Sequence, residues 1–243
     1  MTPLVIILGP AGAGRGDVVR ELVAHAWPEG RKIRLLRETG EGGVAPDCWE
    51  FADGQARLPA PGDEDVSILV THGSRHVVDQ LEALHRSLRP MQPDAVWRLA
   101  RILTVVDCPL AMRHQVIEEW YRPCVHFSDA VIINRRWEVP GQWVGKFLEP
   151  YEKAFYPCLF LTLTKVGALA NPPAVIDGEP LRLTHIFDDI DAVDEMEFDE
   201  DNLPDEPFDL VRQVDKYFAR DELGRRNIPV PDIAGILRQE GRG

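Results

Sequence analysis

The sequence predicts an α/β fold: a mostly parallel sheet with helices on both faces. Three observations predict it. Short apolar runs alternate with stretches of helical periodicity along most of the chain. The first run, Pro3 to Leu8, feeds a glycine-rich turn and then an amphipathic stretch, a strand–loop–helix order typical of such folds. The 243 residues are 44% hydrophobic and 28% charged, enough to bury a full core in one or two domains.

Taken in order, residues 3–8 read as the first strand, and Val18, Val19, Leu22, Val23 and Ala26 recur at helical spacing behind it. KIRLLRE (32–38) reads as a short strand and CWEFADGQARL as a hairpin piece. DVSILVTHG (65–73) reads as a buried strand ending in a glycine turn. Val77, Val78, Leu81, Leu84 and Leu88 then mark a helix. ARILTVVDCP (100–109) is a third strong strand, and 110–125 reads as one helix. SDAVIINRR (128–136) is a strand, 140–154 a helix and CLFLTLT (158–164) the last clear strand. Two short helices are predicted at 208–218 and 231–239, able to pack on the main domain. In parallel sheets of this kind ligands bind beyond the carboxyl ends of the strands. Gly9–Gly16, Thr71–Ser74, Asp107, Asn134–Trp137 and Thr164–Gly167 are all expected on that edge.

The loop after the first strand carries the chemistry. Gly9 and Gly14 match the first and second glycines of G-x-x-x-x-G-K-[ST], the phosphate-binding P-loop, in its strand–turn–helix context. Backbone N–H groups and the helix dipole make such a loop an anion site. Arg15 stands for the lysine and Gly16 for the magnesium-ligating hydroxyl. The bland alternative is a tight turn whose glycines serve geometry alone. Asp107 reads either as a magnesium-side carboxylate or as the cap of the next helix. Asn134 reads as a base contact or a turn residue, and Arg135 and Trp137 as groups able to stack on a ring. His72 and His76, four apart, could share a metal, but no glutamate motif accompanies them.

Composition excludes several classes. Net charge is −13, and residues 177–243 carry 8 Lys and Arg against 19 Asp and Glu. The 188–209 run holds 12 acidic residues and no basic one. It reads as a solvated linker, or as a docking segment for a basic partner. Nothing is basic enough to wrap nucleic acid, and no apolar run is long enough to span a bilayer. Cys48, Cys108, Cys124 and Cys158 are scattered, which fits a reducing, cytoplasmic setting without disulfides, and no signal peptide precedes the first strand. Residues 1–176 are expected to fold as one domain and 177–243 to form an acidic extension with one or two short helices, separable by cutting near 177.

The order of elements and several strings over roughly residues 3–176 resemble the SIMIBI-class P-loop GTPases of the CobW, UreG and HypB type, CobW most closely. TVVDC (104–108) resembles that family's strand ending Val-Val-Asp-Ala, and SDAVIINRRW its guanine-specificity strand. RETGEGGVAPD (37–47) is similar to its switch segment, with Glu38, Gly40 and Asp47 in place, and LTKVGAL (163–169) stands where its last base-contacting loop would be. The resemblance implies a P-loop NTPase-like domain and GTP or ATP with magnesium as ligand. It implies nucleotide contacts at Gly9, Gly12, Ala13, Gly14, Arg15, Gly16, Asp17, Asn134, Arg135 and Trp137, with Asp47 and Asp107 on the magnesium side.

The departures from the family pattern are specific. Val70 falls where the family has a glutamate, and Trp137 where an aspartate reads guanine. Gln55–Leu58 replace the family's three-thiol metal motif. The chain therefore reads as a degenerate, non-hydrolysing CobW-like protein. It is expected to be a binding or assembly subunit with a protein partner, through the acidic tail or as a homo- or hetero-dimer, with no catalytic or metal-ligating residue assigned. The alternative is a divergent nucleoside triphosphatase or a metallochaperone.

Overall fold

A computed structural model describes residues 1–41, 43–88, 95–176, 179–188 and 214–242. The elements are β1 (Thr2–Leu8), α1 (Arg15–His25), β2 (Ile33–Glu38), β3 (Cys48–Ala52), β4 (Gln55–Arg57), β5 (Val66–Val70), α2 (Val77–Leu88), β6 (Trp97–Asp107), α3 (Cys108–Arg113), α4 (Gln115–Phe127), β7 (Ala130–Asn134), α5 (Gly141–Lys153), β8 (Leu159–Thr162), α6 (Pro172–Ile176) and α7 (Ala234–Gln239). The strands form one sheet in the order β4-β3-β2-β5-β1-β6-β7-β8. Every pairing is parallel except β3 with β4, so the α/β class expected from the sequence is the one observed. The antiparallel pair is the expected hairpin. Asp53 (φ 51°) and Gly54 (φ 70°) supply the two left-handed residues that a two-residue turn needs.

Side chains alternate across a strand, so a strand with layers on both sides must be apolar throughout. On β1, Leu4, Ile6 and Leu8 enter one core with α2, α3, α4 and α5, while Val5 and Ile7 enter a second with Val18, Val19 and Leu22 of α1. β7 divides likewise, Val131 and Ile133 against Ala130 and Ile132. This arrangement carries the ends of β1, β2, β5, β6 and β7 to one edge.

Two expectations are corrected. The single helix over 110–125 is two: His114 leaves the helical region (φ −131°, ψ 99°) between α3 and α4, and its Nε2 lies 2.8 Å from Glu240 Oε1. Residues 214–218, the described part of the helix expected at 208–218, form a turn, whereas 231–239 does hold a helix, α7. The acidic run lies outside the described residues apart from Asp188.

The described extension is also not a separate unit. Phe187, Tyr217, Phe218, Ile233 and Leu237 are buried in the same core as α2 and α4, with Phe218 stacked on Phe127 at 5.2 Å. Apolar side chains interleaved with a charged sequence find their core in the main body.

Ionic clasps fasten this segment. Asp129, buried before β7, accepts hydrogen bonds from the N–H groups of Ile102 (2.7 Å) and Leu181 (2.7 Å) and from Arg182 (2.9 Å). Arg182 also pairs with Asp188, and Arg101 Nη1 lies 3.6 Å from Asp129. His126 and Asp215, both buried, meet at 2.7 Å. Arg226 reaches Asp79 and Glu82 on α2, and Glu240 holds Arg113 and His114.

Two predictions follow from this packing. Asp129→Ala removes one of the two carboxylates on the buried Arg182 and the carboxylate 3.6 Å from the buried Arg101, and removing one partner of such a set costs about 3–5 kcal/mol. Urea unfolding should show that loss, with Asp129→Asn intermediate. A chain ending at 176 should lose soluble folded protein, because it uncovers the core beneath Phe187, Phe218 and Leu237; a cooperative melt close to that of the full chain would contradict this.

A third prediction concerns acid. Hydrogen bonding from His76, then from Arg226, holds the Asp79 carboxyl well below its ordinary range. Burial opposes ionisation of Glu82 and Asp215, yet Arg226 with Arg220, and His126, hold them below it too. Arg113, then His114, draw Glu240 down to about 2. Lowered folded values mean that the unfolded chain binds protons first. The clasps therefore stabilise fully above about pH 4 and lose effect as pH falls toward 2. Melting temperature followed from pH 7 to pH 3 should fall, and Glu240→Gln with Asp79→Asn should flatten the acid limb.

Candidate functional site

The edge beyond β1 is built from the glycine loop. α1 begins at Arg15, and its N-cap, Gly14, is left-handed (φ 90°) with no side-chain cap. A first helical turn leaves N–H groups without intrahelical partners. In α1 Asp17 N and Val18 N both donate to Gly14 O, at 3.0 and 3.2 Å, so only the N–H groups before them fall in that class. Gly12 is also left-handed (φ 74°). Ala13 N donates to Pro10 O (3.1 Å) and Ala11 N to Gly73 O (3.2 Å), which closes the outer turn. Gly9 (φ 146°) passes so near β6 that a Cβ on it would lie 2.9 Å from Val105 O. Gly16 is open, with nothing within 4 Å of such an atom.

Two residues of the β7 end brace this loop. Asn134 Nδ2 donates to Ala13 O (2.8 Å), and Asn134 Oδ1 accepts from Arg135 N (2.8 Å). Arg135 Nη2 donates to Gly12 O (2.6 Å). Loop carbonyls are thus tied outward. Gly14 has no alternative here, because a Cβ would fall 2.3 Å from Asn134 Nδ2. Strand, loop, helix and brace together form a P-loop-like unit.

Arg15, at the lysine position, is turned out of the loop. It is 9% exposed, donates to Thr71 O and lies 3.0–3.1 Å from the carboxylate of Glu41. Glu41 also accepts from Gly73 N (2.8 Å). Burial lowers the Arg15 pKa from its ordinary value, and Glu41 opposes that effect. His72 stands 3.8 Å from Glu41, and burial pushes its imidazole below the ordinary histidine range despite Glu41 and Glu38. Gln80 fixes the backbone of His72 through both ends of its amide, accepting from N (2.8 Å) and donating to O (3.0 Å). The guanidinium that the sequence placed on phosphate is therefore the tie between the helix, the β5 end and the segment after β2.

Asp107 resolves in favour of the cap: its Oδ1 accepts from Leu110 N (3.2 Å) at the start of α3, and its Oδ2 pairs with both Arg135 and Arg242. Asp47 is a correction. Its carboxylate binds Arg34 Nε (2.8 Å), and Arg34 is the second residue of β2, back from the edge, so Asp47 does not face the loop. Asp17, in the first turn of α1, pairs with the exposed Arg20. Trp137 is 42% exposed in the short 3-10 turn Arg136–Glu138, two residues beyond the left-handed Arg135. Ala13 is fully buried in the core under α1. Thr164–Gly167 turns beyond the outermost strand β8, with Thr164 N on Ala168 O (2.9 Å).

The donors fit an anion and do not fit magnesium. Gly16 has no hydroxyl, Val70 no carboxylate, and the Thr71 hydroxyl is buried and donates to Ile7 O (3.2 Å). Asp107 is occupied by two guanidiniums. His72 and His76 do not converge: His72 Nδ1 accepts from Ser74 N, and His76 Nε2 faces Val230 O. Among the described residues no group of three or more His, Cys, Asp or Glu gathers to hold a metal.

Sequence reading missed Glu41 and Arg242. Glu41 lies within the switch-like string, where its spacing from Arg15 carries no signal. Arg242 comes from the other end of the chain.

No family model and no curated protein matches the chain. Among solved structures, Zn(II)-bound YjiA GTPase from E. coli is similar at 15% identity, over 74% of this chain and 66% of that one, with a TM-score of 0.36. A Zn(II)-bound triple mutant of YjiA GTPase is similar at 14% identity, over the same shares, with a TM-score of 0.34. The chain thus spans just under two thirds of the length of either, and its fold assignment rests on the sheet and loop geometry above.

Proposed function

We propose that this chain is a degenerate CobW-like P-loop protein. It holds the phosphates of a nucleotide, GTP or ATP, at Gly9–Gly16 without efficient hydrolysis, and acts as a binding or assembly subunit toward a protein partner. The observation that carries this reading is the braced loop. Asn134 and Arg135 hold the Ala13 and Gly12 carbonyls, and α1 starts without a side-chain cap, the arrangement in which the first N–H groups of a helix can serve an anion.

Phosphoryl transfer relies on positioning and on charge stabilisation by lysine and magnesium. Arg15 is committed to Glu41 and Thr71, and magnesium finds no matched donors. Binding thus survives the substitutions that remove catalysis. Trp137 offers a ring face where the family resemblance has a hydrogen-bonding aspartate, so stacking replaces reading of the base.

Calorimetric titration of the full chain tests this. GTP and ATP should bind within about tenfold of each other, or about 1.4 kcal/mol, and Gly14→Ala should abolish binding by pushing Asn134 off the loop. Phosphate release should stay at background with magnesium. Magnesium-dependent turnover, or no binding of either nucleotide, would overturn the reading.

A further inference from the structure

The loop has lost its lysine but not its cation. We propose that Arg242, delivered from the far end of the chain, is the phosphate-directed cation of the glycine loop; this rests on the phosphate-binding reading above and names the residue that carries the charge.

Arg15 cannot fill that role while it is buried against Glu41 and Thr71. Arg242 can. Its stem crosses Gly12 so closely that a Cβ there would lie 3.0 Å from Arg242 Cδ and 3.3 Å from Nε. Gly12 is thus needed twice, for its left-handed backbone and for the room that Arg242 takes. The guanidinium reaches Asp107 beside Arg135, which itself holds Gly12 O. Among the described residues, the two guanidiniums facing Asp107 carry one positive charge more than that carboxylate balances, on a protein of net charge −13. Asp17, the other carboxylate near the loop, is already paired with Arg20.

The placement is built into the chain. Gly241 (φ 69°) ends α7 in a Schellman turn, with Arg242 N on Leu237 O (2.8 Å) and Gly241 N on Arg238 O (3.1 Å). Leu237 and Ile233 are buried, and Glu240 is clasped by Arg113 and His114, so the residue after the turn has one place to go. A phosphate at the mouth would share the two guanidiniums with Asp107 through charge-assisted hydrogen bonds, where a forked donor suits tetrahedral oxygens.

The test uses the full chain, inorganic pyrophosphate as the probe and isothermal titration as the readout. Arg242→Ala should weaken binding about tenfold or more at an unchanged melting temperature, and Arg242→Lys should recover part of the loss. Gly241→Val, strained at that φ, should weaken binding similarly by moving Arg242. Hydrogen exchange over 234–242 should slow when pyrophosphate is added to the unmodified chain. If Arg242→Ala binds as well as or better than the unmodified chain, Arg242 is neutral or a plug; the assignment is overturned while the loop stands as a phosphate site. If neither binds, the phosphate reading fails and the assignment with it.

Discussion

The structure depends on β1 being covered on both faces. With Leu4, Ile6 and Leu8 in one core and Val5 and Ile7 in the other, β1 has no polar position along that length. Chemistry is confined to where the strand stops, and the chain must turn there within a few residues to start α1. Left-handed glycines make that turn feasible, and an uncapped helix start is its by-product. The same constraint on β5, β6 and β7 brings Thr71, Asp107 and Asn134 to one rim.

On that rim the polar groups are tied to one another. A lysine would extend as a point charge into the loop. The forked guanidinium of Arg15 instead satisfies a carbonyl and a carboxylate together, and becomes a structural tie. Glu41 collects Arg15, the Gly73 N–H and the neighbourhood of His72, so three segments share one anion. Asp107 anchors α3 and gathers two arginines. Each contact closes a network, and together they keep the rim ordered.

Much of this was legible in the sequence. Short apolar strands alternating with helical stretches reveal a parallel sheet, and Gly9 and Gly14 mark the loop, because those positions need particular backbone angles. Asn134 reads from sequence as a base contact or a turn residue, and its tie to Ala13 O carries no sequence signal. The reading failed where partners are distant. Arg15 was placed on phosphate because sequence cannot display Glu41 beside it. Asp47 was placed at the rim by its string, whereas Arg34 turns it away. Charge density drew a boundary at 176, but Phe187, Tyr217 and Leu237 answer to the core rather than to their acidic neighbours. His114 breaks a helix whose periodicity runs through it, since its partner Glu240 is 126 residues away.

The meeting of Gly12 with Arg242 has a consequence for the order in which the molecule is made. Few contacts in a chain of this length can span more sequence, and closing a loop that long is entropically unfavourable until much else is in place. The core that Phe187, Phe218 and Leu237 complete closes in that same late step, so the Gly12–Arg242 contact and the sealed body arrive together. Local opening of 234–242 would take one positive charge off the rim and leave the glycine loop behind.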